Sequence, residues 1–213
     1  MRDLIFDAYG IALSVQVVTL KNIYGLDPAQ TSARFEGQAF VVRSAGLTST
    51  GKCENAPGAV LLRVRSERPG RIRVHLRAKA PEAIRCTKLL LHGLPAPLAW
   101  VEQLGVRPIG PPGESLAYPN QLGAPLVCLR AGDETLGVRA EDARGRGKRF
   151  VAAVERAGQG VLELIFEEDA THLSREFEAA PCVITRGVAR ETLLAEHEAF
   201  VRDLSASTGL GEG

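Results

Sequence analysis

Alternation of apolar and charged residues on both sides of a Pro-Gly pair is what most limits the folds open to this chain. Val60, Leu62 and Val64 point one way while Leu61, Arg63 and Arg65 point the other. Ile72, Val74 and Leu76 then alternate with Arg71, Arg73, His75 and Arg77, and Glu67-Arg68-Pro69-Gly70 lies between the two runs. Period two places the apolar set on one face of an extended strand, and the tight turn folds the two runs into a β-hairpin with one buried face. The pattern repeats. Leu126–Arg130 and Thr135–Arg139 flank Ala131-Gly132-Asp133, and Phe150–Glu155 and Val161–Glu167 flank a Gly-rich turn at 156–160. Phe177 and Pro181–Thr185 add one more pair of strands. The 22 glycines and 12 prolines fall between the apolar runs, as turns require.

The remaining segments are expected as follows. Arg2–Phe6, Ile11–Leu20, Gln38–Ser44 and Ile84–Leu91 read as strands, and Pro95 and Pro97 stop the ladder after the last of them. Residues 45–58 read as loop. Residues 105–125 read as a long ordered loop or a set of short edge strands, and 140–149 as a polar, strongly basic loop. From Val188 to Leu204 the spacing changes: Leu193, Leu194, Phe200, Val201 and Leu204 form a helical stripe. Consecutive short-turn hairpins pair antiparallel, and two such sheets bury their apolar faces against each other. The expected fold is mainly β: a large antiparallel β-sandwich over 1–187, a C-terminal α-helix over 188–205 and a flexible tail over 206–213.

Charge and cysteine content narrow the function classes. Lys plus Arg number 26 against 25 Asp plus Glu, a net +1 that argues against a nucleic-acid binder. Arg63, Arg65, Arg71, Arg73 and Arg77 could form a basic sheet face, yet aromatics are only 5% of the chain and no base-stacking platform is interleaved. A solvated face paired with scattered glutamates is expected instead. Cys53, Cys86, Cys128 and Cys182 form no CxxC pair, and they read as buried thiols rather than a zinc site. The longest apolar stretch, Ile11–Leu20, is half of what a membrane span needs and lacks the flanks of a signal peptide. A cytoplasmic protein, or a segment of a larger one, is the reading.

No motif states a reaction. His75, His92, His172 and His197 stand in no zinc-binding spacing, no GxSxG is present, and GRGKR lacks the rest of a phosphate loop. His75, among arginines, is expected to have a depressed pKa. Glu167-Glu168-Asp169 closes a strand and reads as a solvated turn. Asp142 is the most interesting carboxylate, because Arg144, Arg146, Lys148 and Arg149 follow it closely. Such a loop can clamp a sugar or an anion through charge-assisted hydrogen bonds. Tyr118, followed by Pro119 and Asn120, offers an aromatic face beside an amide in the long loop.

The stretches IRVHLRAKAPEAIRCTKLLLHGLP, YPNQLGAPLVCLR, GVRAEDARGRGKRF, VLELIFEED and LLAEHEAFVRDL, in this order, resemble the amino-terminal supersandwich (galactose-mutarotase-like) domain of bacterial glycoside hydrolases. The resemblance runs loosely over about 70–212 and hardly touches 1–60. It implies a sandwich that packs on a catalytic (β/α)-barrel and lends a loop to its sugar site. The barrel, with the two carboxylates that glycoside hydrolysis needs about 5–10 Å apart, is not within these residues. The expected function is a non-catalytic β-sandwich module of a carbohydrate-active enzyme, serving domain packing and carbohydrate binding. Tyr118, Asn120, Asp142, Arg144, Lys148 and Arg149 are its candidate ligand contacts. No catalytic residue, metal or cofactor is nominated. The partners are a carbohydrate and a downstream catalytic domain or protein, with no nucleic acid and no membrane. The alternatives are a stand-alone epimerase or hydrolase of sandwich fold, whose test is a His beside a carboxylate in a pocket, and an interaction module using the basic sheet face.

Overall fold

The computed structural model describes residues 3–49, 51, 54–155 and 158–208. Strand accounts for 62% of the chain. In chain order the strands are β1 (Phe6–Ala8), β2 (Ile11–Thr19), β3 (Ile23–Leu26), β4 (Thr31–Glu36), β5 (Ala39–Ser49), β6 (Asn55–Arg68), β7 (Arg71–Pro95) and β8 (Leu98–Glu102). Then come β9 (Gly105–Pro108), β10 (Glu114–Tyr118), β11 (Leu126–Ala131), β12 (Glu134–Ala140), β13 (Lys148–Val154), β14 (Gln159–Glu167), β15 (Ser174–Glu178) and β16 (Cys182–Arg186). One helix, α1 (Arg190–Thr208), follows.

β7 is the spine. Its 25 residues pass through both layers of an antiparallel β-sandwich. One edge of β7 pairs first with β6, from Arg71 to Lys79, and then with β2, from Ile84 to His92. The other edge takes β16, β15 and β14 in turn. The first layer therefore runs β4-β5-β6-β7-β16-β12-β11-β8-β9, and the second β1-β2-β7-β14-β13-β10. Pro81 sits between Lys79 and Ile84, where β6 gives way to β2, so its missing N–H costs no rung of either ladder. β3 joins the layers again by pairing with β2 and β5.

The period-two reading is what fills the core. Val60, Leu62, Val64, Ile72, Val74 and Leu76 are all buried in one cluster with Leu13, Val15, Leu89, Leu91, Leu162 and Leu164 of the second layer. Each contributes roughly 1.5–3 kcal/mol by leaving water. The hairpins β6–β7, β11–β12 and β13–β14 form where the alternation placed them, the Arg156–Ala157 tip of the last lying outside the described residues.

Three expectations change and one is narrowed. The first strand is Phe6–Ala8, not Arg2–Phe6, and Arg2 lies outside the described residues. The loop expected over 45–58 is mostly ladder, because β5 and β6 remain paired through Thr48–Asn55. A register shift near Ala45 lets that ribbon continue past the small residues that read as loop. Of the two forms expected for 105–125, the structure has the short edge strands, β9 and β10. β15 and β16 pair not with each other but side by side along β7.

The helix runs to Thr208, and residues 209–213 lie outside the described part. Its stripe docks at one end. Leu193 is fully buried against Val188, Leu126 and Cys128, Leu194 packs at the margin, and Val201 stands exposed. Gly137 makes this docking possible: a Cβ there would lie 2.4 Å from Leu193 Cδ1. No helix among the described residues is long and apolar enough to cross a membrane.

Candidate functional site

A groove of about 1550 Å³ opens beside the middle of β7. Its floor is the cross-strand pair of segments Ala59–Leu61 and Arg77–Lys79. Ser32, Arg43 and Ser44 form one wall. The other wall is built from the loop 141–146 and from residues 168–181, including β15. More than half of the lining surface is apolar, and the charged groups set into it are close to balance: five Arg or Lys side chains face six carboxylates, with His172 beside them.

Asp142 organises the upper wall. Its side chain is almost wholly buried, and it accepts hydrogen bonds from the backbone N–H of Arg144 at 2.9 Å and of Arg146 at 3.2 Å. Lys148 Nζ, equally buried, donates to the same carboxylate and to the Arg146 carbonyl at 2.5 Å. Burial alone would push the Asp142 carboxyl up, but Lys148 and the Arg144 amide together hold it below its ordinary value. Lys148 is pushed down by its own burial, against the pull of Asp142. Arg146 completes the loop. It reaches Asp142 at 3.3 Å, Glu168 at 3.2 Å and the Glu178 carbonyl at 3.1 Å, and lies over the Phe177 ring at 5.5 Å. The loop is thus pinned at its base, and Arg144 projects from it, exposed.

Two exposed ion pairs join the floor to the β15 part of the same wall in register, Arg77–Glu178 at 2.8 Å and Lys79–Glu176 at 2.9 Å. Exposed pairs of this kind are worth about 0–1 kcal/mol, so a ligand can open them at little cost. Lys79 holds the Glu176 carboxyl below its ordinary value. Nearby, the backbone and hydroxyl of Thr171 hold Asp169 low as well, with His172 Nδ1 3.8 Å away.

The six expected contacts separate. Asp142 and Arg144 line the groove. Lys148 lies beneath it as the buried partner of Asp142, 5.9 Å from the Tyr118 ring. Tyr118 and Asn120 are outside the groove, the first opposite Lys148 on the β10–β13 ladder. Arg149 is exposed and paired with Glu167 at 2.5 Å. Lys79, Glu176 and Glu178 also belong to the groove without having been candidates, and Arg77, placed by the sequence on a basic sheet face, joins them there. Their signal was present as two short alternations of opposite charge, Arg77-x-Lys79 and Glu176-x-Glu178, and it needed the β15–β7 pairing to become a site.

The basic sheet face is largely neutralised. Glu67 accepts from Arg71 at 2.7 Å and also pairs with Arg73, and Glu141 takes Arg73 and Arg139. From the helix, Glu196 binds Arg71 at 2.6 Å. Burial, then Arg73, depresses the His75 pKa, the direction expected. Cys86, Cys128 and Cys182 are buried free thiols; burial raises the last two to about 11 and about 12. Cys53 lies outside the described residues. No cluster of three metal-ligating side chains occurs among the described residues.

No family model and no curated protein matches the sequence. Among solved structures, the chain is similar to the galactosidase domain of the α-galactosidase–sucrose kinase AgaSK, at TM-score 0.48 and 12% identity, over 85% of this chain and 29% of that one. It is also similar to a candidate mutarotase, YeaD of Salmonella typhimurium, at TM-score 0.41 and 12% identity, over 78% of this chain and 65% of that one. The chain thus spans less than two thirds of either neighbour.

Proposed function

We propose that this chain is a non-catalytic carbohydrate-binding β-sandwich module that works beside a catalytic domain, and that the groove along β15 is its binding face. The observation that carries the reading is the lining: cations and carboxylates in near balance, presented by two exposed cross-strand ion pairs and one pinned loop. Such a surface suits a neutral polyol. Each hydroxyl can bridge a carboxylate and a cation, whereas an anion or a cation would meet as much repulsion as attraction. The groove carboxylates with perturbed titration, Asp142, Asp169 and Glu176, are all held low. A glycosidase acid needs the opposite shift to stay protonated at neutral pH, which favours binding over hydrolysis.

Isothermal titration of the full chain with a panel of neutral oligosaccharides tests this. Binding that Arg144→Ala or Arg77→Ala weakens several-fold supports the groove. No heat with any of them at millimolar concentration overturns the sugar reading and leaves domain packing as the role.

A further inference from the structure

Leu193, Glu196, His197 and Phe200 follow one another at i, i+3, i+4 and i+7, so they share one face of α1, the face turned to β12 and β11. The apolar anchor is at the start: Leu193 is fully buried, and none of residues 194–207 is. Beyond Leu193 the helix is held by charge. Glu196 accepts from Arg71 at 2.6 Å, and the guanidinium groups of Arg68 and Arg139 lie 3.8 and 3.9 Å away. Arg139 lies over the Phe200 ring, 5.9 Å from its centre, and the His197 ring is 6.4 Å from the same centre.

This docking leaves polar atoms without partners. The Arg139 side chain is 4% exposed, and its Nη2 donates to Glu141 at 2.8 Å. Its Nε and Nη1, like His197 Nδ1, are shut off from water and meet no hydrogen-bond partner among the described residues. A buried donor left in this state costs about 1–3 kcal/mol. One partly exposed ion-pair cluster stands against that cost, so the second half of the helix is held by a narrow margin.

The imidazole sits where it can tip that margin. Arg139 of β12 is the cation beside it, and Glu196 and Glu198 are its charged neighbours on the helix. Glu196 is already engaged by Arg71 of β7, with Arg68 of β6 close by, and Glu141 by Arg139 and Arg73. β11 meets the helix through Leu126 and Cys128. An imidazolium here would carry an N–H at Nδ1 with neither acceptor nor water, next to a buried guanidinium. Burial first, then Arg139, hold the His197 pKa below its ordinary value, against Glu198. Once the helix lifts, the ring regains a pKa near about 6.5. Docking is therefore strongest above about pH 6.5 and weakens as pH falls from there toward the depressed docked value.

We propose that α1 is a pH-sensitive strap: it stays anchored at Leu193, and protonation of His197 releases the segment from Glu196 onward. Release takes Glu196 away and uncovers Arg71 and Arg139. Four arginines, Arg68, Arg71, Arg73 and Arg139, then face two glutamates, Glu67 and Glu141, so mild acid bares a cationic face. The device does not rest on the sugar reading of the groove.

Hydrogen exchange of the full chain at pH 7.5 and 5.5, with each rate divided by its intrinsic value, tests it. At pH 5.5 a freed imidazole is protonated about ten to one, so protection over 196–204 should fall about five- to tenfold, with Leu193, Leu194, β11 and β12 unchanged. His197→Gln takes up no proton and should keep its pH 7.5 protection at pH 5.5. This variant also separates His197 from His75, which burial and Arg73 hold low on β7. Equal protection of the parent at the two pH values overturns the strap, as does an undiminished fall in His197→Gln. Should that variant lack protection already at pH 7.5, NMR titration of the His197 ring in the parent decides. A midpoint below about 6.5, tracked by the amides of 196–204, upholds the strap, and a midpoint at or above that value overturns it.

Discussion

At the scale of single residues, the Asp142–Lys148 pair holds the upper wall of the groove. Both side chains are nearly inaccessible, so removing one strands the other as a buried charge. Asp142→Ala is therefore expected to cost about 3–5 kcal/mol, read from the urea midpoint, while the double change Asp142→Leu with Lys148→Met recovers most of it. A single variant within about 1 kcal/mol of the parent would show that the pair is dispensable. The same chemistry sets the acid limit. Asp142 and Glu67 are held below their ordinary values by their cationic partners, against burial. Arg43 and Arg34 hold the exposed Glu36 at about 2. A depressed carboxylate adds stability above its unfolded pKa, near 4, and that stability is lost as pH falls through the folded value. Burial depresses His75 and His197, which take up a proton more readily once unfolded, so the melting temperature should decline gently below about pH 6.5 and drop steeply below about pH 4. A curve flat down to about pH 3 would contradict this.

At the scale of elements, α1 and β15 show how little local sequence says about partners. The helix depends on a missing side chain on β12: Gly137→Ala would drive a methyl group into Leu193 and Val188. Overpacking of this kind costs about 1–3 kcal/mol. Hydrogen exchange should report it as lost protection at the start of α1, around Leu193 and Leu194, with the strands unaffected. For β15 stability and binding should part company. Lys79→Ala and Glu176→Ala remove an exposed pair, so each should change stability by less than about 1 kcal/mol. The same changes should weaken oligosaccharide binding several-fold by titration. Equal losses in both measurements would make the pair structural.

At the scale of the whole molecule, β7 belongs to both layers, and neither layer can unfold without it. Leu76 packs in its first half and Leu89 in its second, both fully buried. Leu76→Ala and Leu89→Ala should each cost about 2–5 kcal/mol. The buried Trp100 fluorescence and the far-UV circular dichroism should follow one coincident transition in both variants. Two separated transitions would mean that the layers are independent units.

The period-two pattern by itself determined the hairpins, the buried face of each strand and therefore the two-layer antiparallel class, because side-chain direction in a strand is a property of local geometry. The clustering of charge around Asp142 likewise marked one wall of the groove. Tertiary structure alone decided the rest. It ran two apolar segments together through Pro81 as one spine, set β15 and β16 side by side along that spine, and turned Lys148 inward as a buried partner rather than outward as a contact. It also placed Tyr9 against Phe35, and Arg77 and Lys79 against Glu178 and Glu176. Those pairings join residues from 26 to 101 positions apart, and no local preference encodes which distant strands share an edge.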